Sequence, residues 1–115
     1  MERSEKTITS LIWTVIITPE ALEMIDEIAD RRIRRIIESG IDKLEREPDK
    51  QGKPLGKQLV GHRSKKVAAG RYRIVYRMDY PKQIVYVKGV GIRKEGNRND
   101  VYVILTKRLL KSPFK

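Results

Sequence analysis

Apolar residues first gather between Leu11 and Ile17, where Ile, Val, Trp and Thr predict a strand. Trp13, Val15 and Ile17 fall on one face and Ile12 and Ile16 on the other, so an internal or helix-covered strand is expected. Thr18-Pro19-Glu20 then signals a helix. Thr18 can cap, Pro19 suits the first helical position, and Glu20 and Glu23 complement the positive end of the dipole. Leu22, Ile25 and Ile28–Ala29 make one apolar stripe, and Asp30-Arg31-Arg32 reads as a corner to a second helix. The second stripe is Ile33, Ile36–Ile37, Gly40–Ile41 and Leu44, stopped by Pro48. Gly40 costs about 1 kcal/mol in mid-helix, which predicts close approach of a neighbouring backbone.

Residues 48–61 read as a loop punctuated by Pro48, Gly52, Pro54, Gly56 and Gly61. The period then becomes two. Strands are expected over 62–69, 72–80, 83–91 and 101–106, with a tight turn at Tyr80-Pro81-Lys82. In the strand from Tyr72, one face carries Tyr72, Ile74, Tyr76 and Met78 and the other Arg73, Val75 and Arg77. The predicted order is β-α-α-β-β-β-β. This is an α+β fold, with an N-terminal strand and helical hairpin packed on a mostly antiparallel twisted sheet. The 115 residues are expected to form one domain, residues 1–115, with a core of about 11–107 and frayed ends.

Charge changes this picture most. Lys plus Arg is 26 against 15 Asp plus Glu, a net charge of +11. Residues 1–50 hold 9 basic and 12 acidic side chains, whereas residues 51–115 hold 17 basic and 3 acidic, namely Asp79, Glu95 and Asp100. So steep an excess attracts polyanions, nucleic acid above all, or keeps a small protein soluble. Arg31, Arg32, Arg34 and Arg35 lie among Asp26, Glu27, Asp30 and Glu38, and are read as an ion-paired helix surface. Cysteine is absent, which excludes disulfides, thiolate metal sites and thiol nucleophiles. With one histidine, no multi-histidine metal site can form from this chain. The stretch Leu11–Ile17 is too short to span a bilayer, and no secretory signal is expected after Met-Glu-Arg-Ser-Glu-Lys. A cytoplasmic location with no membrane partner is the expectation.

The chemistry left to such a chain belongs to cations and phenols. Three acids in the basic half do not make a paired-carboxylate or two-metal site, and His62 is read as a surface or loop histidine. Cleavage of RNA by its own 2′-hydroxyl needs an in-line geometry, charge absorbed at phosphorus and proton transfer. Arginine suits a phosphate in transition. Tyr72, Tyr76, Tyr80, Tyr86 and Tyr102 lie among basic strands, the interleaving used in single-stranded RNA recognition, although several should be core residues. The cations Lys65, Arg71, Arg77, Lys94 and Arg98 are candidate RNA contacts.

The runs Gly70-Arg71-Tyr72-Arg73-Ile74-Val75-Tyr76, Val87-Lys88-Gly89-Val90-Gly91-Ile92-Arg93 and Asp100-Val101-Tyr102 resemble the RelE/ParE toxin superfamily of type II toxin–antitoxin systems. The opening strand leading into Thr18-Pro19-Glu20-Ala21 and the loop Gly52-Lys53-Pro54-Leu55 resemble it too. The resemblance implies a toxin neutralised by a cognate acidic antitoxin. In the RelE-like branch it implies a ribosome-dependent mRNA endonuclease with no cofactor or metal. The alternatives are a ParE-like inhibitor of DNA gyrase and a catalytically weak RNA-binding member. By resemblance, Arg73 and Arg93 hold the scissile phosphate, Lys66 on the second strand helps draw off the 2′ proton, and Tyr102 stacks on or orients the base. A second lysine of some relatives falls on Ser64, with Lys65 beside it as a substitute. A position that is often basic is Ala68, a histidine of some relatives is absent beside Ile92, and the spacing from Arg93 to Tyr102 is longer.

Overall fold

The computed structural model describes residues 12–111, so the expected frayed ends and Leu11 lie outside the described residues. Five strands form one sheet: β1 (Thr14–Ile17), β2 (Lys53–Pro54), β3 (His62–Val67), β4 (Tyr72–Asp79) and β5 (Ile84–Ile92). Their order is β1-β5-β4-β3-β2, antiparallel except for the parallel pair β1–β5. The helices are α1 (Pro19–Asp26), α2 (Arg31–Asp42) and α3 (Val101–Lys111). The α+β class and the helical hairpin agree with the sequence reading.

Caps set the hairpin. The Thr18 hydroxyl accepts the Ala21 N–H at 3.3 Å and donates to the Val87 carbonyl at 2.8 Å, which ties the start of α1 to β5. The corner falls earlier than expected. α1 stops at Asp26, and Asp30 caps α2 by accepting the N–H groups of Arg32 and Ile33, so Arg31 and Arg32 lie inside α2. Ala21, Ile25, Ile37 and Ile41 then pack on Ile74, Tyr76, Val85, Val87 and Val90. Gly40 permits this approach, because a Cβ there would lie 2.9 Å from Val67 and 3.0 Å from Ile74. The neighbours are side chains of the sheet rather than the backbone expected.

Three expectations fail. Of the two alternatives expected for β1, internal or helix-covered, the first fails and the second holds on one side only: it is an edge strand whose Trp13 and Val15 pack toward the helical hairpin, while Ile12, Ile16 and Ile17 stay exposed. The strand expected to reach Ala69 ends at Val67, because Ala68, Ala69 and Gly70 all take positive φ in the turn to β4. The strand expected over 101–106 is helix α3. Its Val101 and Leu105 belong to a second buried cluster with Val75 and Leu59, on the other side of the sheet. The arginines of α2 also differ from expectation. Arg31, Arg34 and Arg35 share a shallow groove with Asp26 and Glu38, yet the ion pairs among the described residues are Lys50–Glu47, Arg93–Glu95 and Arg93–Asp100.

α3 sits close to β5 because that strand presents glycine to it. A Cβ on Gly89 would fall on the Leu105 side chain, and one on Gly91 would lie 3.1 Å from Val101. Gly89→Ala is expected to lower unfolding stability by about 1–3 kcal/mol, the usual cost of overpacking, read as a reduced urea midpoint with an unchanged slope.

Candidate functional site

The β4 pleat sends Ile74 and Tyr76 to the helical hairpin and Val75 to α3, so Arg73 and Arg77 share the α3 face with Val75. Arg73 lies opposite Lys66 on β3 and Gly91 on β5. Arg93 lies two residues beyond Gly91 on the same side, and its N–H donates to the Arg71 carbonyl at 2.8 Å, continuing the ladder past β5. By register, Lys66 and Arg73 share one face at the end of the sheet where Arg93 leaves β5.

The half-buried Arg73 folds back on its own turn, donating from Nη1 to the carbonyls of Gly70 and Tyr72. No carboxylate pairs with it among the described residues. Arg93 is held differently. Its Nη1 donates to Asp100 Oδ1 at 2.6 Å, and its guanidinium carbon lies 4.6 Å from the centroid of the Tyr102 ring. Arg93 Nη2 stands 3.9 Å from Glu95, beyond hydrogen-bond reach, which leaves that edge of the fork available. The longer spacing before Tyr102 does not carry it away: helix α3 returns the ring beneath Arg93. The phenol oxygen lies 2.7 Å from Ser64 Oγ.

Asp100 and Ser64 went unseen as site residues in the sequence. Asp100, only 1% exposed, also accepts the N–H groups of Lys94 and Tyr102 and so caps α3. Burial alone would raise its pKa. Hydrogen bonds from Arg93, Lys94 and Tyr102 outweigh burial and hold the carboxylate below its ordinary range. Asn99-Asp100 before an apolar run was the available signal, a capping pattern that the β-branched residues after it obscured.

The other predicted cations disperse. Lys65 does not substitute for a lysine at Ser64: one residue out of phase, it points to the helical hairpin and donates to Gly40 O at 2.9 Å and Gln51 Oε1 at 2.6 Å. Burial first, and Lys43 second, push its pKa down. Arg71, Lys94 and Arg98 are exposed in the loops around the site, and Arg77 is exposed farther along β4. His62 is buried, not a surface histidine. Its Nδ1 lies 3.2 Å from the Leu59 carbonyl, and burial, then Arg77 and Lys88, depress its pKa. Tyr76 is a core residue whose hydroxyl donates to Pro48 O at 2.6 Å.

Beside Arg93 an open groove of about 670 Å³ runs between residues 55–59 and α3, lined by Leu55, Leu59, Asp100, Tyr102 and Thr106. That volume suits a nucleotide-sized ligand. Among the described residues no three His, Asp or Glu side chains group as metal ligands would, and no helix is long and apolar enough to cross a membrane.

The sequence and the fold have counterparts in known proteins. Residues 15–96 match the family described as the ParE toxin of the type II toxin–antitoxin system parDE. Toxin RelG of Mycobacterium tuberculosis is 31% identical over 90 residues, 78% of this chain and 95% of RelG. A chain of the RelBE2 toxin–antitoxin complex of the same organism, also 31% identical, matches with a TM-score of 0.61 over 73% of this chain and 94% of its own. The E. coli toxin RelE, in a mutant form in the free state, shares the fold at 19% identity, with a TM-score of 0.65 over 85% and 98% of the two chains. The chain belongs to the RelE/ParE superfamily of type II toxins.

Two pH effects follow. Asp100 is ionised more readily in the folded chain than in the unfolded one, so its contribution is complete above about pH 3.9 and is lost as pH falls through the lower folded value. Asp100→Ala should cost about 1.5–3 kcal/mol near neutrality, with the gap to wild type closing in strong acid. His62 resists protonation when folded, so stability should decline as pH drops below about 6.5. His62→Gln should remove that part of the decline in urea titrations run at stepped pH.

Proposed function

We propose that this type II toxin is a metal-independent, ribosome-dependent mRNA endoribonuclease. One observation carries the reading: Lys66 and Arg73 share a sheet face by register at the end of the sheet where Arg93 lies over the Tyr102 ring. A phosphodiester entering this face meets two rigid forks. Arg73 and the open edge of Arg93 take the negative charge that grows as the 2′-oxygen attacks phosphorus and the 5′-oxygen leaves. The exposed Lys66 raises the local potential and so eases transfer of the 2′ proton to a solvent base, while solvent returns a proton to the leaving 5′-oxygen. Tyr102, fixed by Ser64, orients a base from the groove beside it.

The partners in this proposal are a programmed ribosome with its mRNA and a cognate acidic antitoxin, in the cytoplasm. Related chains are seen in toxin–antitoxin complexes such as RelBE2 of M. tuberculosis, and the +14 excess of residues 51–115 favours an acidic neutralising segment. A second reading, inhibition of DNA gyrase, draws support from the ParE family match, which ends at residue 96, before Asp100 and Tyr102.

Primer extension on mRNA from programmed ribosomes separates the two. Codon-level cuts are expected with wild type, with losses of about 10²–10³-fold for Arg73→Ala and for Arg93→Ala. Chelation by EDTA should leave the rate unchanged once the ribosomes are held assembled by polyamines. Intact mRNA together with double-stranded DNA breaks would select the gyrase reading.

A further inference from the structure

The α3 face of the sheet is divided in two by an irregularity. Val75 pairs with Gly89 and Tyr76 with Val87, so Lys88 is an extra residue in β5, a β-bulge. Beyond the bulge Gly89 and Gly91 lie under α3. Before it Tyr86 lies directly opposite Arg77, and Lys88 lines the same groove. A regular strand could not put Tyr86 and Gly89, three residues apart, on one face. The bulge thus gives one surface a smooth half that a helix covers and an aromatic, basic half that α3 leaves open.

The open half is a groove of about 540 Å³ lined by Arg77, Met78, Asp79, Tyr80, Tyr86 and Lys88, together with Pro81. Arg77 is exposed, and Tyr86 and Lys88 are half-buried. The one carboxylate in the lining does not neutralise the cations: Asp79 accepts the Lys82 N–H at 3.2 Å within the turn. His62, opposite Arg77 on β3, has its pKa lowered by burial, with Arg77 and Lys88 adding to the effect.

We propose that Arg77, Tyr86 and Lys88 form a second subsite for single-stranded RNA, where a base stacks on the Tyr86 ring and adjoining phosphodiesters rest on Arg77 and Lys88. The proposal rests on the endoribonuclease reading and extends it along the strand. Arg77 follows Arg73 by four residues on the same face, roughly 13 Å at strand rise, with α3 over Val75 between them, so an extended RNA that engages both passes around the helix. Stacking on a phenol is indifferent to base identity, so the subsite holds the message without selecting a codon. An acidic protein segment would use the two cations but not the ring, and that difference makes the two occupants separable.

The test is anisotropy of a short labelled single-stranded oligoribonucleotide with the purified toxin over a salt series, ribosomes absent. Tyr86→Leu should weaken binding at least about fivefold and Tyr86→Phe should not. Arg77→Gln with Lys88→Gln should weaken it as much and make the salt slope shallower by about 1.4, the share of two phosphates on a single strand. With the unaltered toxin, a 4-thiouridine RNA should photocrosslink to Tyr86, which guards against variants that fail to fold. Wild-type affinity in Tyr86→Leu and in the double variant, or crosslinks solely elsewhere, would overturn the subsite. So would a loss confined to the double variant with polyglutamate competing as well as RNA, which marks a surface for acidic protein. None of these variants touches Arg73 or Arg93. A toxin that binds as described yet leaves mRNA uncut on ribosomes would therefore overturn the endoribonuclease reading and leave the subsite standing.

Discussion

One buried carboxylate holds the functional end of this molecule together. Asp100 accepts from the Arg93 guanidinium, the Lys94 N–H and the Tyr102 N–H, and so joins the end of β5, the loop after it and the start of α3 at a single group. Remove that acceptor and three elements lose their common anchor, while the partly exposed Arg93 guanidinium loses its closest counter-charge. The same contact sets the Arg93–Tyr102 stack. Folding and chemistry at this end thus share a residue.

The electrostatics explain why so basic a chain can afford little compensation here. Asp79 accepts within its turn and Asp100 is held by its triple contact, and Arg73, Lys66 and Arg77 have no ion pair among the described residues. Mutual repulsion across this face weakens the isolated fold and is relieved by any polyanion that covers it. Both faces carry buried clusters, one under the helical hairpin and one under α3, and Lys66 and Arg77 lie exposed outside them.

Much of this was legible in the sequence. Thr18-Pro19 and Asp30 announce the helical hairpin in local chemistry, and alternation along β4 assigns Arg73 to its face without tertiary knowledge. Helix α3 was not legible, because Val101, Tyr102, Val103 and Ile104 favour strands and only packing against Gly89 and Gly91 decides otherwise. Spacing of four between Val101, Leu105 and Leu109 was the weaker, correct signal. Lys65 and Lys66 differ by one step of the pleat, and composition is blind to that parity. The Asp100–Arg93 contact closes across a loop whose path no local rule fixes.

The hairpin between β3 and β4 has a consequence of its own. Ala68 and Ala69 sit in left-handed backbone beside Gly70, at a cost of about 1–2 kcal/mol for each alanine. That strained reversal fixes the register in which Lys66 faces Arg73. The entropy of bringing two like charges side by side is therefore settled while the chain folds. An arriving anion finds the two backbone positions already in register, and only the Arg73 side chain has to leave its own turn to meet it.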